Sequence, residues 1–546
     1  MTRRLSGKIR LRGKESRPTV ADLFLLLFIV PLALYFRAVF FDFINYDDVQ
    51  MLVTSTRAHG LSPENLRTIF SYFFVEAYYP VRLFSFALDY EIYGGPSPAG
   101  FHLTNLALHL ANVWLVFLLA RQAARSLEHD PLSARRLAMA AAALFAVHPA
   151  GAQVVGWIPG REEVLMVFFF LSGLLLHRAA LHAKNASLLL HVLAAYAALF
   201  AGLCHVTAVV LPLAAVLLLV LVENEKSWRA ICLRTSYLWA VAVLVGGLRY
   251  LSVAMWDERT QSLLFPHLPT AIRNLPRMLG TAYTQLPQDS FFLLAVHYLG
   301  KWALLAGDAV FPFFVPDTEG PFYGGFLPRF LFAAIVLCGL ALVLKRLAGE
   351  KKLLVLGAVW FFGIMGFSAA WTVGLAVPLR FFYLPWIGFC LAGGVLVVRA
   401  GRSRPAMAWG TLFLVLLAYG GLTTCRLSLY DDPLSFHQAI ANRHPWYWKA
   451  NESLAKQYYL QGRYAEAHQA YTKALEQNPG REDAWVNLVN LHRDHGDRQK
   501  ALELARRGLK QNPNSAVLHL TLASVLDKMG KKDQAFAQVE KAVSLE

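Results

Sequence analysis

The pair best placed for chemistry is Asp47-Asp48, at the end of the run Phe43-Ile44-Asn45-Tyr46-Asp47-Asp48. Both carboxylates follow directly on an apolar stretch at 20–41. There they can serve as a general base that deprotonates a hydroxyl, or they can hold a divalent cation. An acidic doublet is also a common solvated surface feature, so chemistry here needs partners. The next polar residues are Tyr79-Pro80-Val81-Arg82, Asp89, and Phe101-His102-Leu103-Thr104-Asn105 with His109 and Asn112. His102, Asn105, His109 and Asn112 are spaced by 3, 4 and 3, and therefore share one helical face. In an apolar helix such a face must turn to protein or water. For His109 and Asn112 the expected use is hydrogen bonding to a neighbouring helix.

The elements that position these groups are membrane helices. Of 546 residues 56% are hydrophobic and only 16% charged, against about 25% charged in a soluble domain. About eleven stretches are long and apolar enough to cross a bilayer: 20–41, 103–119, 137–149, 164–176, 188–203, 206–222, 231–251, 330–344, 353–371, 381–398 and 407–424. The net charge of +16 comes from clusters flanking these stretches, which are topology determinants and not a nucleic-acid surface. With eleven spans every cluster falls inside, and the odd count puts the C-terminal tail outside. The apolar segment 291–314 is then a helix at the outer interface. The expected organisation is a basic inner N-terminus (1–19) and a transmembrane domain (20–425) with outer loops at 42–100, 148–163 and 252–329. A linker (426–447) and a soluble tail (448–546) follow. Cys204, Cys232, Cys338, Cys390 and Cys425 lack metal-ligand spacing and imply neither a disulfide framework nor a zinc site.

On this topology three cations stand on the outer side, where basic residues are disfavoured. Arg161 opens a span, Lys301 sits in the interfacial segment, and Arg380 opens Arg380-Phe381-Phe382-Tyr383-Leu384-Pro385-Trp386. Each alone reads as a snorkelling anchor. Together they make an anion site, and a lipid phosphate is the anion natural to that depth.

In the tail, Gly462, Gly496 and Gly530 lie 34 residues apart, as do Ala467, Ala501 and Ala535. This is the tetratricopeptide period, three helical hairpins in register. The fold class is all-α: a polytopic helix bundle with a C-terminal α-solenoid, whose groove binds an acceptor or partner, or serves assembly.

The order of these motifs resembles the GT-C superfamily of membrane glycosyltransferases with C-terminal tetratricopeptide repeats, best known as O-mannosyltransferases and with many bacterial relatives. The residues carrying it are Asn45-Tyr46-Asp47-Asp48, Leu88-Asp89-Tyr90, His102 to Asn105, His148-Pro149 through Trp157 to Gly160-Arg161, Tyr298-Leu299-Gly300-Lys301, Arg380 and Tyr383-Leu384-Pro385. The resemblance implies a polyprenyl-phosphate sugar as donor and inverting transfer to an acceptor, a protein hydroxyl, on the extracytoplasmic side. It makes Asp47, with Asp48, the catalytic pair. Arg161, Lys301, Arg380 and His148 bind the donor phosphate, and His102, Asn105, Trp157 and Tyr383 line the pocket. No cofactor is implied beyond a divalent cation at Asp47 and Asp48. Three positions depart from the family pattern: Gln153 stands for Glu, His205-Val206 for Lys-Glu, and Glu163 for Asp. The setting is a bacterial inner membrane with periplasmic repeats, or the endoplasmic reticulum with luminal ones. The rival readings are a transporter or flippase of lipid-linked sugars and a non-catalytic scaffold. The lack of an internal repeat in the membrane half speaks against transport.

Overall fold

The computed structural model describes residues 20–44, 47–71, 78–127, 129–254, 351–371, 379–443 and 445–545, and among them all regular structure is helical. Among the described residues six helices are long and apolar enough to cross a membrane: Ala21–Phe40 (α1), Pro98–Ser126, Ile158–His182, Ser187–Cys204, Trp228–Arg249 and Pro405–Tyr430. The eleven expected spans were read over the whole chain, part of which lies outside the described residues. The stretch at 137–149 belongs to a pair, Pro131–Ala146 and Ala150–Gly156, bent by 58°, and Val206–Val222 is short. The expected spans at 353–371 and 381–398 are the helices Lys351–Trp371 and Trp386–Ser403. Segments 291–314 and 330–344, with Lys301 and Cys338, lie outside the described residues.

Helices after α1 are numbered here as α2 (Pro63–Ser71), α3 (Pro80–Tyr93), α4 (Pro98–Ser126), α5 (Pro131–Ala146), α6 (Ala150–Gly156), α7 (Arg161–His182), α8 (Ser187–Cys204), α9 (Val206–Val222) and α10 (Trp228–Ala254). They continue with α11 (Lys351–Trp371), α12 (Trp386–Ser403), α13 (Pro405–Leu427) and α14 (Pro433–Arg443).

Local sequence explains the starts. Ser97 accepts the Gly100 amide at 3.2 Å ahead of Pro98, and Asp130 accepts the Leu132 and Ser133 amides, each at 3.0 Å, ahead of Pro131. Small residues set the packing. Ala140 to Ala143 of α5 are fully or almost fully buried, and Gly357 and Gly388 bring α11 and α12 together so closely that a Cβ on either would strike the other's carbonyl oxygen.

Two expectations about connecting segments are corrected. The stretch 148–163, read as a short polar outer loop, is the helix α6, bent by 58° from α5, with a turn at 158–160 and the start of α7, and every residue in it is buried. Ala150, Gly151, Ala152, Val154, Val155 and Ile158 make it too apolar to lie in water. The stretch 426–447, read as a linker, holds α14, whose Phe436 and Ile440 join the membrane-domain core.

The tail is three hairpins: α15 (Trp448–Leu460) with α16 (Tyr464–Gln477), α17 (Glu482–Asp494) with α18 (Arg498–Gln511), and α19 (Ala516–Lys528) with α20 (Lys532–Val543). Gly462, Gly496 and Gly530 take φ of +74°, +97° and +75° at the turn inside each hairpin, which explains their recurrence. Ala450 and Leu454 of α15 belong to the membrane-domain core, so the solenoid is seated on the bundle and not tethered to it.

Candidate functional site

The polar residues singled out in the sequence converge where α3, the start of α4, α6 and the start of α7 meet. The face His102, Asn105, His109, Asn112 of α4 is buried along its whole length. His109 donates from Nε2 to the Ala146 carbonyl at 3.2 Å, which leaves Nδ1 to accept the Tyr383 hydroxyl at 2.7 Å. Asn112 donates to that hydroxyl at 3.3 Å and to the Val164 carbonyl at 2.8 Å. These are the interhelical bonds expected of His109 and Asn112, and Tyr383 is their partner in the core. Asn105 donates to the carbonyls of Val154 and Ile158 at 3.1 and 3.2 Å, closing the turn after α6. His102 donates from Nδ1 to the Val155 carbonyl at 2.9 Å, and its buried Nε2 has no hydrogen-bond partner among the described residues.

Arg161 is fully buried. Its guanidinium meets Asp89 Oδ2 at 2.7 Å and the Phe101 carbonyl at 2.8 Å, bonds Asn105 Oδ1, and lies 4.7 Å from the Phe86 ring centroid. The structure thus gives Arg161 an internal role, locking α3 to α4 and α7. His148 is likewise internal: it accepts the Ala150 amide at 3.1 Å and stacks on Trp386 with ring centroids 3.8 Å apart.

The third expected cation sits in a different company. Arg380 lies on the turn Leu379–Phe382, held by its amide donating to Gln153 Oε1 at 2.7 Å. Its Nε is 2.9 Å from Glu163 and 3.8 Å from Glu162, and its guanidinium lies 4.6 Å from the Trp157 ring. Arg82 of α3 pairs with the other oxygen of Glu162. Arg82 and Arg249 flank the Tyr79 ring at 4.9 and 4.3 Å, and His205 stacks parallel to that ring at 6.0 Å. Two guanidiniums, those of Arg82 and Arg380, thus meet the two carboxylates, and Arg249 stands beside them across the Tyr79 ring.

Glu162, Glu163 and His205 also hold ligand atoms within 4.8 Å of one another. The donor set fits a metal poorly. His205 Nδ1 accepts the Thr207 amide at 3.3 Å, which puts the ring proton on Nε2, and arginines already hold both carboxylates. His205 presents an N–H where the family pattern has a Lys cation.

Asp47 is exposed, whereas Asp48 is buried and accepts the amides of Ile44 at 2.6 Å and Val49 at 3.0 Å. Asp48 therefore holds the loop and caps the helical turn Val49–Thr54. Leu52 and Ala58, just beyond, pack with Phe86 of α3, Phe101 of α4 and Ile158. One helix, α3, thus seats the acidic pair's segment through Phe86 and feeds the charge cluster through Arg82. The sequence reading missed Glu162 and Arg249. Arg249, a cation within the apolar α10, was the available signal.

A tetratricopeptide-repeat family matches residues 458–504. Over 496 residues, 75% of this chain and 55% of the relative, the chain is 27% identical to Protein O-mannosyl-transferase Tmtc1 of Drosophila melanogaster. It is 24% identical to Protein O-mannosyl-transferase TMTC3 of Mus musculus over 98% of this chain and 56% of that protein. The chain is a homologue of the protein O-mannosyl-transferases. It spans about half the length of these relatives. A solved oligosaccharyltransferase of Archaeoglobus fulgidus is 14% identical, with a TM-score of 0.36, covering 73% of this chain and 56% of that one.

Proposed function

We propose that this protein is an inverting glycosyltransferase that moves a sugar, mannose by analogy with the relatives, from a polyprenyl-phosphate donor to a protein hydroxyl on the extracytoplasmic side. The observation that carries the reading is the arrangement on α3. The exposed carboxylate of Asp47 sits on a segment anchored against Phe86, while Arg82 joins Arg380 and Arg249 in a cluster of guanidiniums around Glu162, Glu163 and Tyr79. Asp47 deprotonates the acceptor hydroxyl, which attacks the anomeric carbon. The phosphate leaves with the bonding electron pair and needs no general acid. The guanidiniums of Arg82 and Arg380 stabilise its charge, with Lys301 as the third cation of the set. Trp157, beneath Arg380, orients that guanidinium. Arg161, His148, His102, Asn105 and Tyr383 keep the scaffold in shape. Basic clusters on the inner side support an outer active face, with the repeats delivering the acceptor; a bacterial periplasm or an endoplasmic reticulum lumen would serve equally.

The test is transfer from a polyprenyl-phosphate sugar by purified wild type, Asp47→Asn and Asp48→Asn. Loss of a general base lowers the rate roughly 10² to 10⁴-fold, and this is expected of Asp47→Asn in a protein that melts like wild type. Asp48→Asn should lower the melting temperature, since a buried carboxylate accepting two amides is lost. Near-normal transfer by Asp47→Asn would end the catalytic assignment. A wild type that moves the intact lipid across a bilayer without transferring sugar would favour a flippase.

A further inference from the structure

Glu162 and Glu163 stand side by side in the first turn of α7, yet the cluster employs them differently. Glu162 divides its oxygens between Arg82 and Arg380. Glu163 meets Arg380, with Oε1 2.9 Å from Nε, and among the described residues neither of its oxygens accepts a hydrogen bond. Its side chain is only 3% exposed. The ion pair balances the charge, but an ionised carboxylate offers about four lone-pair sites, and leaving them unfilled away from water is costly. A buried acceptor in that state calls for a donor from outside the fold. The neighbouring side chains of Glu162, Arg380 and Arg82 stay 11, 12 and 19% exposed, so the cluster is reached from their side.

We propose that Glu163 selects the transferred sugar by accepting a hydrogen bond from the hydroxyl on the carbon next to the anomeric one. This rests on Arg82 and Arg380 holding the donor phosphate, as proposed above. A phosphate on the Arg380 guanidinium carries the anomeric carbon one bridging oxygen away. The hydroxyl on the adjacent carbon is then the first sugar hydroxyl along the chain of bonds, and Glu163 is the carboxylate on that same guanidinium. A hydroxyl suits the place, because it donates to a carboxylate while its oxygen accepts from a guanidinium. Burial and Arg380 fix the direction of the Glu163 oxygens, so the carboxylate reads the orientation of the hydroxyl as well as its presence. At that carbon the hydroxyl is axial in mannose and equatorial in glucose, and the two sugars are otherwise alike. Glu163 is therefore the group that separates them.

The experiment needs no acceptor. Dissociation constants of purified full-length protein in nanodiscs are measured for polyprenyl phosphate and for its mannosyl, glucosyl and 2-deoxyhexosyl derivatives. Wild type should bind the mannosyl lipid about 10- to 100-fold more tightly than the 2-deoxy lipid, the range of one hydrogen bond to a charged group, and should also prefer it to the glucosyl lipid. In Glu163→Gln both preferences should shrink to a few-fold. Affinity for bare polyprenyl phosphate should be kept or raised, since a competing anion is gone and Glu162 still faces Arg380 at 3.8 Å. Equal affinity of wild type for the mannosyl and 2-deoxy lipids would overturn the proposal without any variant, and would mean that water fills those lone pairs. So would undiminished preferences in Glu163→Gln, or an equal loss on all four lipids, which would reduce Glu163 to a support for Arg380. A wild type that binds none of the four overturns the donor reading itself, and this proposal with it.

Discussion

Replacing Arg161 with methionine separates an architectural arginine from a phosphate-binding one. Its guanidinium is wholly buried and meets Asp89 at 2.7 Å and the Phe101 carbonyl at 2.8 Å. Methionine fills much of the volume but leaves the Asp89 carboxylate, 4% exposed, without its cation. Breaking a buried pair from one side costs about 3–5 kcal/mol, because a charge stays buried without compensation. Among the described residues Asp89 then retains the Thr104 hydroxyl, at 3.0 Å, as its side-chain bond. At about 2–4 °C per kcal/mol, the melting temperature of the purified protein should fall by roughly 10 °C. Pairing the change with Asp89→Asn should recover part of this, with a coupling of about 0.5–3 kcal/mol. Donor-lipid binding, measured well below the melting point, should survive in whatever fraction stays folded. Arg82→Ala is the contrast. Glu162 keeps Arg380 at 3.8 Å, so the fold should tolerate the change, while donor affinity falls about 10- to 100-fold through loss of a charge-assisted contact. If Arg161→Met melts like wild type yet no longer binds donor lipid, the guanidinium meets the phosphate and the architectural assignment is refuted.

Other consequences follow from particular contacts. Tyr383→Phe removes the hydroxyl shared by His109 and Asn112; it should cost about 1–3 kcal/mol, seen as a lower melting temperature with donor binding intact. His468 and His492 share a hydrogen bond of 2.9 Å between the first two repeats, and burial, reinforced by Lys500, lowers both pKa values. Neutral rings are thus favoured by folding, so stability is full above the unfolded value of about 6.5 and declines as pH falls through the folded values. The protection factors of amides in α16 and α17, taken against the intrinsic exchange rate at each pH, should fall between pH 7.5 and 5.5, and His468→Gln should flatten that dependence. Finally, Lys532→Cys in the tail should react with a membrane-impermeant maleimide from the outer side of intact cells or spheroplasts; labelling only after permeabilisation would reverse the topology.

How far the sequence carries depends on whether a signal is local or relational. The repeats were legible because their period is a property of the chain itself, and Gly462, Gly496 and Gly530 mark a backbone conformation that few other residues adopt. The polar face of α4 was legible for a similar reason, since helical spacing alone places four residues on one side. What spacing does not give is the partner. Arg161 and Arg380 look alike in sequence, each a cation at the outer end of an apolar run. The difference lies in Asp89, 72 positions away from Arg161, and in Glu162 and Glu163, which Arg380 reaches from the far side of the bundle. The segment 148–163 misled in the opposite sense. Its single Trp, prolines and terminal charges read as a loop, but its small apolar residues let it fold back into the bundle beside Tyr35, Tyr430 and Leu427, where a Cβ on Gly151 or Gly156 would collide. The same close packing bears on the family departures. Gln153 replaces a carboxylate, yet its Oε1 still accepts the Arg380 amide, so the turn that aims Arg380 needs an oxygen there and not a charge. Glu163, one methylene longer than Asp, reaches Arg380. With His205-Val206 in place of Lys-Glu, and Gln153 in place of Glu, one cation and two anions are lost, so these positions together are one charge more positive than the family pattern.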